Sequence, residues 1–101
     1  MRVIVLFDLP VGTSAERREY SRFRKSLISS GFYMLQESVY VKLTLNMSAA
    51  NAVILNIKKK KPSSGLVQML CVTEKQFSKM EFIVGEKTSL VIDSDERLIV
   101  L

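Results

Sequence analysis

The sequence contains no histidine, and this absence excludes a large part of enzyme chemistry. Histidine is the commonest general base and one of the commonest metal ligands in proteins. Ser-His-Asp and Cys-His catalysis are therefore excluded, as is a zinc site with histidine ligands. Any catalysis must rely on carboxylates, lysine, tyrosine or a hard metal ion held by carboxylates.

Cysteine and long apolar runs are also scarce. The single cysteine, Cys71, cannot form an internal disulfide, and its neighbours Leu70 and Val72 indicate a buried small side chain. No apolar run reaches the ~18 residues that a membrane span requires. The apolar run over residues 3–7 is too short for the core of a secretory signal. We therefore expect a cytoplasmic protein.

The chain does contain enough apolar residues for one modest core, together with an excess of positive charge. Its 101 residues, of which 48% are hydrophobic, predict a single domain over residues 1–101. The net charge of +5 and the pI near 9.6 favour an anionic partner, chiefly nucleic acid or a membrane surface.

The apolar pattern predicts strands and helices in the order βαββαβ. Thr13 and Glu16 fit a capping box that begins a helix, and Gly31 is suited to its end. The predicted elements are a strand over 3–7, a helix over 13–30, two short strands within 32–45 joined by a turn or a bulge at 36–37, a helix from Asn46 or Ser48 to about Lys60, and a strand over 66–73. This order predicts an α+β, ferredoxin-like fold with an antiparallel sheet and both helices on one face.

Two further strands are predicted beyond this unit. Residues 81–84 would form a fifth strand, and residues 97–101 would form a C-terminal strand that extends the sheet of this chain or of a partner. Because the predicted strands are apolar on both sides, the face without helices needs a cover. A homodimer that packs sheet on sheet would provide it.

Asp8 directly follows the first predicted strand, before a loop that contains Pro10 and Gly12. One interpretation is structural, in which the carboxylate accepts hydrogen bonds from loop amides. The other is a ligand for Mg²⁺ or Mn²⁺, which prefer oxygen donors. One carboxylate is a poor site, whereas two across a dimer axis would make a plausible one. The other clustered acids are typical of a solvated loop: Asp93, Asp95 and Glu96.

The first predicted helix is strongly basic. It carries Glu16 and Glu19 against five cations, which are Arg17, Arg18, Arg22, Arg24 and Lys25. These cations form either a solvated face with intrahelical ion pairs or a surface for phosphate, since the arginine fork can donate twice to one anion. The lysine run over residues 58–61 either provides favourable charge at a helix end or adds a second contact to a duplex.

Several short motifs, in this order, are similar to one family. They are the strand 3–7 ending in Asp8, the helix beginning Arg17-Arg18, Gly31, and residues 36–40. Together they resemble the CRISPR-associated protein two family, the small partner of the CRISPR integrase in spacer acquisition, over nearly the whole chain. The segment 7–10, with residues 31–32 and 38–40, looks like the branch found in type II systems.

The resemblance implies a ferredoxin-like homodimer in which two copies of Asp8 face each other and hold one Mg²⁺. It also implies two candidate functions. In the first, the dimer is a scaffold that bridges dimers of the CRISPR integrase during adaptation and holds short double-stranded DNA, with no membrane involved. In the second, it is a metal-dependent endonuclease for RNA or DNA, with Asp8 as metal ligand and catalytic residue.

The resemblance assigns two further surfaces. Contacts to the DNA backbone map to Arg17 and Arg18 and, on the same helix, to Arg22, Arg24 and Lys25. Docking of the integrase maps to the C-terminal strand, which comprises Arg97, Leu98, Ile99, Val100 and Leu101.

Phe7 is a departure from many relatives, which carry tyrosine before the aspartate. The missing hydroxyl would remove a hydrogen-bond donor beside a metal site, so we expect the scaffold function in preference to the nuclease function. A third alternative is a toxin-like RNase or a small-molecule-binding module, because the fold alone does not decide function.

Overall fold

A computed structural model of the chain describes residues 1–85 in full, together with the backbone of residues 90–92 and 98–100. The elements are β1 (Arg2–Asp8), α1 (Ser14–Ser29), β2 (Tyr33–Gln36), β3 (Val39–Leu43), α2 (Met47–Lys59), β4 (Leu66–Val72), α3 (Glu74–Ser78), β5 (Leu90–Ile92) and β6 (Leu98–Val100). The first six follow the predicted βαββαβ order, and their boundaries differ from the predicted ones by one or two residues at most positions.

The main sheet has four strands in the order β2-β3-β1-β4, and every neighbouring pair is antiparallel. The first strand of the chain therefore lies inside the sheet, between β3 and β4. This order confirms the ferredoxin-like α+β prediction.

One face of the sheet packs on the helices and forms the core. Val3, Val5 and Phe7 are buried on this face, since alternate residues of a strand point to the same side. The ring centroid of Phe7 lies 5.4 Å from that of Phe23 in α1 and 5.7 Å from that of Tyr40 in β3. An edge-to-face contact thus fixes β1 against α1, and a stacked contact joins β1 to β3 within the core.

The opposite face, called the open face below, carries the alternate residues of β1, β3 and β4. Ile4 and Val41 are buried in its middle. Leu6, Leu66 and Leu70 lie on the same face but are 38%, 55% and 56% exposed. The open face is therefore an apolar surface that α1 and α2 do not cover.

Both long helices begin at the predicted caps. Thr13 accepts from the Glu16 amide, and the Glu16 carboxylate accepts from the Thr13 amide, which completes the predicted capping box of α1. Asn46, rather than Ser48, caps α2 by accepting from the Ala49 amide. After α1, Gly31 adopts a φ of 94°, a conformation that favours glycine.

The turn between β2 and β3 lies one residue later than predicted. Gln36 still pairs with Val39, so the turn consists of Glu37 and Ser38. Ser38 has a φ of 64°, and a register shift separates Met34 from Gln36. The bulge and this left-handed residue replace the Asn-Gly signal that the sequence lacks.

The predicted strand over 81–84 is wrong, and the C-terminal strand does not extend the main sheet of its own chain, whereas its extension of a partner's sheet stays a prediction. Residues 81–84 form no strand, and Ile83 and Val84 are 94% and 90% exposed. A β-prone segment needs a ladder partner, and in the described protomer none lies beside it. Residues 98–100 form a separate two-stranded sheet with β5 instead of extending the main sheet. Pairing with a strand nearby in sequence costs less loop-closure entropy than joining the distant sheet.

Candidate metal site and nucleic-acid interface

Asp8 is the last residue of β1 and lies on the open face, since it follows Ile4 and Leu6 in the strand alternation. Its side chain is exposed. It lines a shallow depression of about 200 Å³ whose other lining residues include Ser38, Leu66 and Gln68. The carboxylate thus lies at the border between the apolar open face and solvent.

The depression offers oxygen donors of the kind that Mg²⁺ accepts. Among its lining residues, Asp8, Ser38 and Gln68 carry side-chain oxygen atoms of this kind. Among the described residues, no group of three or more His, Cys, Asp or Glu side chains could hold a metal ion. Asp8 is therefore the one carboxylate among the residues that line this depression. The predicted acidic cluster at Asp93, Asp95 and Glu96 lies outside the described residues.

Two backbone contacts position Asp8. The Phe7 amide donates to the Ser38 carbonyl over 3.1 Å, which fastens the end of β1 to the β2–β3 turn. On the other side, Gly65 has a φ of 93° and lies so close that a Cβ there would be 2.9 Å from the Asp8 carbonyl oxygen. Gly65 lies between the second predicted helix and the predicted strand over 66–73, and no sequence pattern signals its contact with Asp8.

The Phe7 side chain lies on the opposite face of the sheet from Asp8. It is only 5% exposed and packs among aromatic rings of the core. A hydroxyl on this ring would lie in the core and not in the depression. The expectation that phenylalanine removes a donor beside the metal site is therefore wrong, so Phe7 does not weigh against a nuclease.

The basic residues of α1 differ in what they contact. Arg17 donates through Nη1 to the carbonyls of Val11 and Gly12, at 3.1 and 3.3 Å, and so holds the loop that follows Asp8. Arg22 forms an ion pair with Glu19, whose carboxylate it contacts at 2.6 Å. The hydrogen bond from Arg22 lowers the pKa of Glu19.

Arg18, Arg24 and Lys25 are exposed on the surface of α1. The two ion pairs found among the described residues join Arg2 to Glu74 and Arg22 to Glu19. In that part of the chain these three cations are therefore not neutralised by a carboxylate. They are the members of the predicted DNA-binding set that are available to an external anion.

At the end of the open face remote from Asp8, Arg2 holds α3. Its guanidinium donates to Glu74 at 2.6 and 3.0 Å and to the Tyr33 hydroxyl at 2.7 Å, and it lies 4.6 Å from the centroid of the Phe77 ring. The hydrogen bond with Arg2 lowers the pKa of Glu74, and the same bond raises the pKa of Arg2. No sequence pattern signalled this contact, because the partners are 72 residues apart.

The predicted integrase-docking strand is described only in part. Leu98, Ile99 and Val100 form β6, whereas Arg97 and Leu101 lie outside the described residues. In the portion that the structure covers, none of the helices is both long enough and apolar enough to cross a membrane.

Comparison with known proteins gives consistent matches over most of the chain. A sequence model described as CRISPR associated protein Cas2 matches residues 1–80. Two similar proteins, from Treponema denticola and Streptococcus mutans, are both named CRISPR-associated endoribonuclease Cas2. The first is 55% identical over 101 residues, covering 100% of both chains. The second is 48% identical over 101 residues, covering 100% of this chain and 93% of the relative.

A solved structure supports the fold independently. The crystal structure of Streptococcus pyogenes Cas2 at pH 6.5 matches with a TM-score of 0.61 and 15% identity, covering 83% of this chain and 100% of the other. At this identity the match concerns the fold alone. None of these names states a CRISPR type, so the type II assignment stays a prediction.

Proposed function

Because the chain belongs to the Cas2 family of CRISPR-associated proteins, we propose that it is a homodimeric, metal-dependent endonuclease that cleaves RNA. The preference for a scaffold that was drawn from the sequence rested partly on Phe7, and the position of that ring removes this support. The relatives that match the whole chain are named endoribonucleases, which favours the nuclease alternative.

The observation that carries the proposal is the position of Asp8 at the rim of an apolar face. Leu66 and Leu70, both more than half exposed, lie on that face and gain from being buried against a second copy. Packing two open faces together would bring the two Asp8 carboxylates toward the same axis. A site that is incomplete in one protomer would then have two carboxylates.

Asp8 from each protomer would hold a divalent cation such as Mg²⁺, with Ser38 and Gln68 as the neighbouring oxygen donors. Such a cation supplies positive charge for a phosphate in the transition state and lowers the pKa of a bound water. The chain itself contributes the fixed position of Asp8, through the Ser38 carbonyl and the close approach of Gly65. Exposed Arg18 and Lys25 would hold the phosphate backbone of the substrate.

A second candidate is the scaffold of CRISPR adaptation, in which the dimer bridges dimers of the integrase and binds short duplex DNA. Two observations favour it: each protomer offers a single carboxylate to the site, and three cations of α1 have no carboxylate partner in the described part of the chain. In this function the arginines are needed and Asp8 is not.

Cleavage of labelled single-stranded RNA and of duplex DNA, with Mg²⁺ or with EDTA, tests the nuclease. We expect Mg²⁺-dependent cleavage of RNA that Asp8→Asn lowers by about 100-fold or more, while binding of RNA is retained. Glu81→Gln, which also removes one exposed carboxylate but lies outside the site, is the matched control and should cleave like the wild type.

Integration of a short duplex into a CRISPR array plasmid by the cognate integrase separates the two candidates. If the wild-type protein cleaves nothing while both it and Asp8→Ala support integration, the protein is a scaffold and the nuclease proposal fails. If cleavage survives in Asp8→Asn, the assignment of the site to Asp8 fails.

A further inference from the structure

Positive charge is concentrated in two segments that are distant in sequence. Nine of the 15 lysines and arginines lie in α1 or in the run over residues 58–61 at the end of α2. The same two segments contain only two acids, Glu16 and Glu19. The function proposed above uses α1 and leaves the lysine run without a role.

Arg22 joins the two segments. Its Nη1 donates to the Lys60 carbonyl at 3.3 Å and its Nη2 to the Lys61 carbonyl at 3.4 Å. Phe23, the next residue of α1, lines the same cavity of about 300 Å³ as Lys58 and Lys61. The lysine run therefore adjoins the middle of α1 in the folded protein.

The acids near this junction are already engaged. Glu19 is paired with Arg22, and Glu16 accepts from the Thr13 amide in the capping box. Lys58, Lys59 and Lys61 are exposed, and the ion pairs found within the described residues do not include them. The cations of both segments thus add to one local excess of positive charge.

We propose that these cations form one continuous phosphate-binding surface, called the basic strip, which comprises Arg18, Lys25, Lys58, Lys59, Lys60 and Lys61, with Arg22 holding its two segments together. The strip binds the phosphodiester backbone of nucleic acid, with the lysine run extending the contact beyond α1. Lysine suits this task, since contacts to phosphate need charge and do not need to read bases. The inference rests on the proposed binding of nucleic acid by α1.

A purely structural explanation of the lysine run makes a different prediction. Lysines in the last turn of a helix interact favourably with the helix dipole whether or not a ligand is bound. If that were their whole role, neutralising them would leave the affinity for nucleic acid unchanged. The two explanations therefore differ in a measurable quantity.

Fluorescence anisotropy of labelled nucleic acid, titrated at several NaCl concentrations, measures the number of phosphate contacts. We compare Lys58→Gln/Lys61→Gln with Lys75→Gln/Lys79→Gln, which removes the same charge from exposed lysines in and after α3. The affinity falls with salt, and the steepness of log K against log salt should decrease by about 1 to 2 in the first pair, since each lost phosphate contact removes about 1. The second pair should leave the slope unchanged.

Duplex DNA and single-stranded RNA are measured in parallel. The nucleic acid whose salt dependence changes more in Lys58→Gln/Lys61→Gln is the form that the strip prefers. Thermal melting verifies that each variant is folded, as expected for changes at exposed positions. A third variant, Arg18→Gln/Lys25→Gln, tests the surface of α1 alone.

The outcomes distinguish this inference from the proposed function. If Arg18→Gln/Lys25→Gln lowers the slope while Lys58→Gln/Lys61→Gln behaves like the α3 pair, binding by α1 stands and the basic strip is refuted. If the wild-type protein binds neither nucleic acid, both proposals fail. If it binds but no variant changes the slope, the basic strip and the role of Arg18 and Lys25 are refuted, whereas cleavage by Asp8→Asn still decides the nuclease. A weaker salt dependence of binding for Lys58→Gln/Lys61→Gln, but not for Lys75→Gln/Lys79→Gln, supports the basic strip.

Discussion

Gly65 lies directly against the backbone of the candidate catalytic residue. A Cβ at this position would be 2.7 Å from Leu9 Cδ2 and 2.9 Å from the Asp8 carbonyl oxygen, and the φ of 93° is unfavourable for any other residue. We expect Gly65→Ala to lower the free energy of unfolding by about 2–4 kcal/mol, from backbone strain and overpacking together. Chemical denaturation measures this change.

Gly85 provides the matched control. It has almost the same φ, 95°, but a Cβ there would meet nothing within 4 Å. Gly85→Ala should therefore cost only the backbone strain, about 1 kcal/mol. If both variants lower the free energy of unfolding equally, the close approach to Asp8 and Leu9 contributes nothing to the effect of Gly65→Ala.

Single residues differ in how far the sequence reveals their role. Asp8 is a candidate from the sequence alone because a carboxylate directly after an apolar strand is a local pattern. The contacts of Gly65 with Asp8, and of Arg22 with the end of α2, join residues far apart in the chain and depend on the finished fold. The position of Phe7 also depends on the finished fold. Strand alternation places Phe7 and Asp8 on opposite faces of the sheet, but only the packed core shows which face is buried.

The short helix α3 is held at the end of the open face by the ion pair of Arg2 and Glu74. Because the pKa of Glu74 is lowered in the folded protein, its contribution to stability is present above the ordinary value of 4.5 and is lost as the pH falls through the lowered pKa. We expect Glu74→Gln to have a lower melting temperature than the wild type at pH 7. The difference should shrink as the pH falls below 4.5.

Glu81→Gln is the control for this measurement, because Glu81 is exposed and the described ion pairs do not include it. Its melting temperature should follow that of the wild type at every pH. A difference between Glu74→Gln and the wild type that stays constant on acidification would exclude the charge of Glu74 as the cause.

Helices were predicted better than strands because their signals are local. The capping box of α1 and the apolar spacing of both long helices are contained in consecutive residues. A strand also needs a partner, and the sequence does not state which one. Residues 81–84 have the composition of a strand but no hydrogen-bonded partner strand in the described protomer. β6 pairs with β5, a strand that the sequence pattern does not predict.

The proposed dimer depends on the apolar open face. Leu70 lies on this face beside Ile4 and is 56% exposed. We expect Leu70→Lys to convert the dimer to a monomer at micromolar concentration, because a buried unpaired charge is far more costly than an exposed one. Sedimentation velocity measures the change.

Leu55 provides a matched substitution elsewhere on the surface. It is 58% exposed but lies on α2, on the other side of the sheet. Leu55→Lys should leave the dimer intact. If neither variant changes the sedimentation coefficient of a dimer, the open face is not its interface.

The interior position of β1 also has a consequence for the order of folding. β1 is made first but pairs with β3 and β4, so its last neighbour ends only at Val72. Contacts between residues so distant in sequence form slowly. During synthesis, β1, whose residues 3–7 are all apolar, therefore has at least one unpaired edge until β4 has emerged, and an exposed strand edge is prone to aggregation. The step that completes the sheet is also the step that brings Gly65 against Asp8, so the candidate site forms last.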